Sequence, residues 1–96
     1  MLPRPIQVKP MNHYKLLVTF NNGEQKIYDA KPLLTLPMYK KLNQQNFFFQ
    51  AKADGMCVYW NDAIDICPDA MYRESVPVAE GENIDGSNRN LTELYR

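Results

Sequence analysis

The stretch GMCVYWNDAIDICPDAMY, Gly55 to Tyr72, holds the only tryptophan and both cysteines of the 96-residue chain. It compresses a strand, a turn, a second strand and a helix start into one segment. Read with period two, Met56, Val58 and Trp60 point to one side of a strand and Cys57 and Tyr59 to the other. After the polar break at Asn61-Asp62, Ile64 and Ile66 alternate with Asp65 and Cys67. A loop of Asn61-Asp62-Ala63 sets Trp60 opposite Ile64 and Val58 opposite Ile66, so that the apolar sets share a face. The same register sets Cys57 opposite Cys67. Pro68 then suits a first helical position, where its missing N–H would be unpaired anyway, and Asp69 suits the positive end of the helix dipole.

Upstream, Tyr14, Leu16, Val18 and Phe20 line one face of a second clear strand. Asn22-Gly23 signals a hairpin turn, and a two-residue loop sets the returning strand, Glu24 to Asp29, with Ile27 opposite Val18. Ile6 to Lys9 reads as a short first strand between Pro5 and Pro10, placed at an edge because proline donates no ladder hydrogen bond. Pro32 and Pro37 exclude a long helix between the hairpins but allow one helical turn around Leu33-Leu34. They also allow a short helix from Met38 toward Gln44 with Met38 and Leu42 facing the sheet. Asn46 to Ala53 reads as a strand or an extended approach to one, on the β-propensity of Phe47, Phe48 and Phe49.

The pattern Val58 to Tyr72, with Val8-Lys9-Pro10 and Tyr14 to Phe20 upstream, resembles a small bacterial family, domain of unknown function 2442. The resemblance covers Leu2 to about Ser75. Ala63 departs from it, standing where the family usually has a turn glycine; a positive φ there would cost alanine about 1 kcal/mol. The resemblance implies short genes that often sit in toxin–antitoxin-like pairs, some with an added helix-turn-helix domain that has no counterpart here. It also brings labels tying some members to molybdopterin guanine dinucleotide synthesis. That chemistry needs a nucleotide-binding core for which this chain has neither the length nor, with four glycines, the phosphate loop.

The fold class expected is therefore α+β. A small, mainly antiparallel sheet of two hairpins and an N-terminal strand carries one or two short helices. Residues 1–78 form a single domain, and 79–96 form a polar tail that is expected to be flexible. A formal net charge of zero gives no electrostatic footprint for nucleic acid. No apolar run reaches the roughly 20 residues of a membrane span. The N-terminus lacks the apolar core of a secretory signal, so cytoplasm is the expected compartment. There a Cys57–Cys67 bridge would stay reduced.

No catalytic constellation is legible, because His13 is the only histidine and nothing local pairs it with a cysteine. Three metal ligands, His13, Cys57 and Cys67, lack zinc-site spacing. Asp62, Asp65 and Asp69 lack the glycine and glutamate of a calcium loop. No cofactor and no enzymatic activity are expected. Arg4, Lys9, Lys15, Lys40 and Lys41 near the three phenylalanines admit a stacking platform with a basic rim, but solvated lysines and core phenylalanines explain them as well.

Three consecutive aromatics cannot all face inward from a strand, which leaves Phe48 as the one expected at the surface. The candidate interaction residues are Phe48, Tyr59, Asp65 and Tyr72. The expected role is a protein-interaction module, antitoxin-like by resemblance, with a small toxin-like protein as partner; the alternative is a nucleic-acid-binding accessory protein. A homodimer through an exposed edge, from the first strand or from Gly55–Trp60, is also open.

Overall fold

Leu16, Val18 and Phe20 are fully buried in the strand Lys15–Phe20, and the chain is built around that strand and the central hairpin. The computed structural model describes residues 2–78; the expected tail, 79–96, lies outside the described residues. In chain order the strands are β1 (Pro5–Met11), β2 (Lys15–Phe20), β3 (Gln25–Asp29), β4 (Lys52–Ala53), β5 (Val58–Asn61), β6 (Ile64–Ile66) and β7 (Val76–Pro77). Two 3₁₀ helices, Lys31–Thr35 and Pro37–Asn43, and helix α1 (Gln45–Phe48) link β3 to β4, and α2 (Pro68–Glu74) links β6 to β7. The α+β class stands, but the two hairpins lie in separate antiparallel sheets, ordered β1-β2-β3-β7 and β4-β5-β6.

The inner faces of both sheets meet in one core. Val58, Trp60, Ile64 and Ile66 come from the central hairpin, and Leu42, Phe48 and Met71 come from the helical segments. Full burial of each large apolar side chain is worth about 1.5–3 kcal/mol. Leu33 and Leu34 of the first 3₁₀ helix pack against the same cluster.

The first hairpin differs from expectation by one residue. Gly23, at φ +92°, closes a three-residue loop in which Phe20 N–H donates to Glu24 O at 2.8 Å and Gly23 N–H donates to Phe20 O at 2.9 Å. Leu17 therefore opposes Ile27, and Val18 opposes Lys26. Because side chains alternate, the shift turns β3 over: Tyr28 enters the core beside Leu16, and Ile27 goes to the outer face with Leu17.

In the central hairpin Val58 opposes Ile66, as expected. Asn61, rather than Trp60, opposes Ile64, and the extra residue is absorbed between Tyr59 and Asn61. The Asn61 side-chain oxygen accepts from both Ala63 N–H and Ile64 N–H at 2.9 Å. That side chain closes the turn without a positive φ at Ala63. Met56, expected on the core face, is outside the strand in a turn where Asp54 Oδ1 accepts from Met56 N–H and Cys57 N–H.

Two further expectations are corrected. Met38 is 58% exposed while Leu42 is fully buried. A 3₁₀ helix has three residues per turn, so Tyr39 rather than Met38 shares the face of Leu42. Of the expected strand Asn46 to Ala53 only Lys52–Ala53 is one; Gln45–Phe48 is a helical turn, which buries Phe48 completely and leaves Phe49, just after it, 44% exposed. The Trp60 indole N–H donates to the Phe48 carbonyl at 2.9 Å, and the Tyr14 ring meets the Phe48 ring edge-on at 5.2 Å. These partners hold the phenylalanine inward.

The segment Gly55–Trp60 also offers no free edge, because β5 is the middle strand of its sheet. β1 is an edge, but Pro5 and Pro10 lie within it and Pro5 O already accepts from Gly55 N–H. Both features blunt it for pairing with a second copy.

Candidate functional site

The sequence candidates separate into three places. Tyr59 and Asp65 face each other across β5 and β6, on the side of the hairpin turned away from Val58 and Ile66. Lys52 opposes Tyr59 from β4 on the same side. The Tyr39 hydroxyl donates to Asp65 O at 2.8 Å, satisfying a carbonyl on the free edge of β6. Burial, with the Asp65 carboxylate nearby, raises the Tyr39 phenol above its ordinary value. Burial followed by the Asp54 and Asp65 carboxylates raises the Cys57 thiol in the same way. This surface is polar and acidic.

Tyr72 lies on α2, against the four-stranded sheet. Its ring stands perpendicular to that of Phe20 at 5.1 Å. The buried Lys26 places Nζ 3.8 Å from the Tyr72 ring centroid and donates to Tyr72 O at 2.7 Å. A lone ammonium would be costly there, and the carbonyl and the π face compensate it. The Tyr72 hydroxyl donates to Glu24 Oε1 at 2.6 Å, and that hydrogen bond lowers the Glu24 carboxyl and raises the Tyr72 phenol. The arrangement fastens the end of α2 to β3.

Phe48 is the third, and it is in the core, so its expected surface role passes to Phe49. The basic rim is also divided. Lys41 Nζ sits 4.8 Å from the Phe47 ring, Arg4 donates to the Met56 sulfur at 3.4 Å, and Lys15 on β2 opposes Asp29. His13 occupies the β1–β2 turn at φ +65°, with Tyr14 beside it at φ +59°. Among the described residues no three His, Cys, Asp or Glu side chains gather in a way that could hold a metal ion.

The surface that sequence reasoning missed is the outer face of the four-stranded sheet. Leu17 is only 7% exposed yet stands apart from the core cluster, on the opposite face of β2 from Leu16 and Val18. Lys9, Leu17, Ile27 and Val76 form a row across β1, β2, β3 and β7. Val76 is 64% exposed. Beside the row, Gln7, Val8, Lys9, Leu17, Thr19 and Gln25 line a shallow depression of about 290 Å³. The described helical segments pack their buried residues into the core instead. The signal was present in Lys15-Leu17-Thr19 and Gln25-Ile27-Asp29, each a polar alternation with one apolar residue at its centre. Without the correct register the two centres do not meet.

The family described as protein of unknown function (DUF2442) matches residues 5–77, and the chain belongs to it. No curated protein and no solved structure matches the chain. Among the described residues no helix is long and apolar enough to cross a membrane.

Proposed function

We propose that this DUF2442 chain is a non-catalytic protein-interaction module that docks a small protein partner on the outer face of its four-stranded sheet. The observation that carries this reading is the row Leu17–Ile27–Val76, apolar side chains aligned outside the core on a face framed by amides, lysines and Asp29. An apolar centre with a polar rim is the usual anatomy of a protein interface. The partner chemistry it fits is an apolar strip flanked by a carboxylate, which Lys9 would meet, Lys15 already facing Asp29 on this side. The antitoxin-like role follows from the toxin–antitoxin-like gene pairs that the family resemblance implies, with the partner's gene beside this one. Val78 N–H donates to Gln25 O at 3.3 Å, which holds the last described residue at the edge of this same sheet.

The test captures the partner with the full chain, purifies it, and titrates it against the wild type, Val76→Glu, Ile27→Lys and a chain lacking residues 79–96. The two substitutions are expected to weaken binding at least tenfold, and the deletion to weaken it measurably, with melting temperatures close to wild type. Unchanged affinity in both substitutions would remove the sheet face from the interface. Retention of nucleic acid that falls steeply with salt would replace the reading with a nucleic-acid-binding one.

A further inference from the structure

The outer surface of the central hairpin carries a second feature, independent of the docking face. The ladder pairs Tyr59 with Asp65 and Val58 with Ile66, and the same register carried one residue beyond the strands sets Cys57 opposite Cys67. The backbone hydrogen bonds fix what kind of pair they form. Asp54 N–H donates to Cys57 O, and Cys57 N–H donates to Asp54 Oδ1, so the polar backbone groups of Cys57 point toward the β4 side. Asp65 O points the other way, to the Tyr39 hydroxyl outside β6. By the alternation of an antiparallel ladder, Cys57 and Cys67 face each other as a non-hydrogen-bonded pair. In that position Cα atoms come to about 4.5 Å and side chains are closest. A disulfide needs a Cα separation of about 4.4–6.8 Å, a range that the ordinary spacing of such a pair meets. Both cysteines are free, with Cys67 exposed and Cys57 half-buried.

We propose that Cys57 and Cys67 form a reversible cross-strand dithiol–disulfide couple, oxidised by low-molecular-weight disulfides of the glutathione class. Cys67, the exposed thiol, attacks first as its thiolate. It displaces one thiolate of the small disulfide and leaves a mixed disulfide on Cys67 Sγ. Cys57 then loses its proton, attacks Cys67 Sγ and displaces the second small thiolate. The protein loses two thiol hydrogens, one Sγ–Sγ bond forms, and the small disulfide is reduced to two thiols. The order follows from access. It is also favoured because Cys57 is held protonated by burial and by the Asp54 and Asp65 carboxylates, with Cys67 adding and only Arg4 opposing. The product ties the start of β5 to Cys67, the residue that caps α2.

The experiment treats the reduced full-length protein with oxidised glutathione under native conditions and follows intact mass, free thiols and peptide maps. The expected course is a transient single glutathionyl adduct followed by a monomer lacking two hydrogens, with the 57 and 67 peptides cross-linked and both thiols restored by reductant. Cys57→Ser is expected to stop at a stable single adduct on Cys67, and Cys67→Ser to react at least tenfold more slowly. A stable doubly glutathionylated wild type, or bridging only between molecules, would overturn the proposal. The wild-type peptide map decides it even if a serine variant folds poorly.

Discussion

The Trp60 indole N–H donates to the Phe48 carbonyl oxygen at 2.9 Å, which joins the only tryptophan, in one sheet, to the helical turn packed beside it. The rings lie 6.0 Å apart and are tilted by 33°. The Phe48 carbonyl also accepts from Ala51 N–H at 3.3 Å, so it keeps one partner if the indole is removed.

Trp60→Phe is therefore expected to cost about 1–2 kcal/mol, from one lost hydrogen bond and the contacts of the missing ring. A urea denaturation series measures this. An unchanged midpoint would mean that the indole bond is not made in solution.

The turn of the central hairpin depends on a side chain rather than on a left-handed residue. Asn61→Ala removes the acceptor of two backbone N–H groups and is expected to destabilise by about 1 kcal/mol. Ala63→Gly, although it restores the residue usual in the family, is expected to destabilise by about 0.4–1 kcal/mol. The position needs no positive φ, and glycine only adds freedom to the unfolded chain. Thermal melts of the two variants check both signs.

Burial, with the Glu74 carboxylate nearby, pushes the Tyr28 phenol up to about 12 from 10.0. The neutral phenol is thus favoured in the folded state. Its stabilisation is complete below pH 10 and is lost as the pH rises from about 10 through about 12. Stability measured against pH should decline over that window, and Tyr28→Phe should flatten the decline. A decline of the same depth in the variant would assign it to other groups.

At the other end of the pH range, the Tyr72 hydroxyl holds the Glu24 carboxyl below its ordinary 4.5. That contribution is present above the unfolded value and fades as pH falls through the folded one. In Tyr72→Phe the Glu24 carboxyl, followed by NMR, should titrate at higher pH, closer to 4.5. The Asn22 amide, which donates to the same Oε1 at 2.6 Å, keeps the return incomplete. A full return would show that the amide bond is not held in solution.

Much of the fold was legible because it rests on local chemistry. Asn22-Gly23 and Asn61-Asp62 mark their turns, Pro68 starts α2, and the alternation of Val58, Trp60, Ile64 and Ile66 assigns the core face of the second hairpin. The outward placement of Tyr59 and Asp65 follows from the same alternation. The family pattern, too, is carried by residues close together in the chain.

What the tertiary structure decided are the choices that neighbouring residues leave degenerate. Two-residue and three-residue loops both suit Asn22-Gly23, yet they differ by one step of register, and that step moves Ile27 out and Tyr28 in. Three phenylalanines in a row favour a strand by propensity. The pocket between Tyr14, Trp60 and Leu42 instead selects a helical turn that buries Phe48. The outward-facing row Leu17–Ile27–Val76 joins residues up to about sixty positions apart, a pairing set by strand order rather than by any local signal. Periodicity within a strand fixes which side chains share its face; the neighbour across the ladder, and the side of the sheet that meets the core, are fixed only when distant segments bury their apolar surface together.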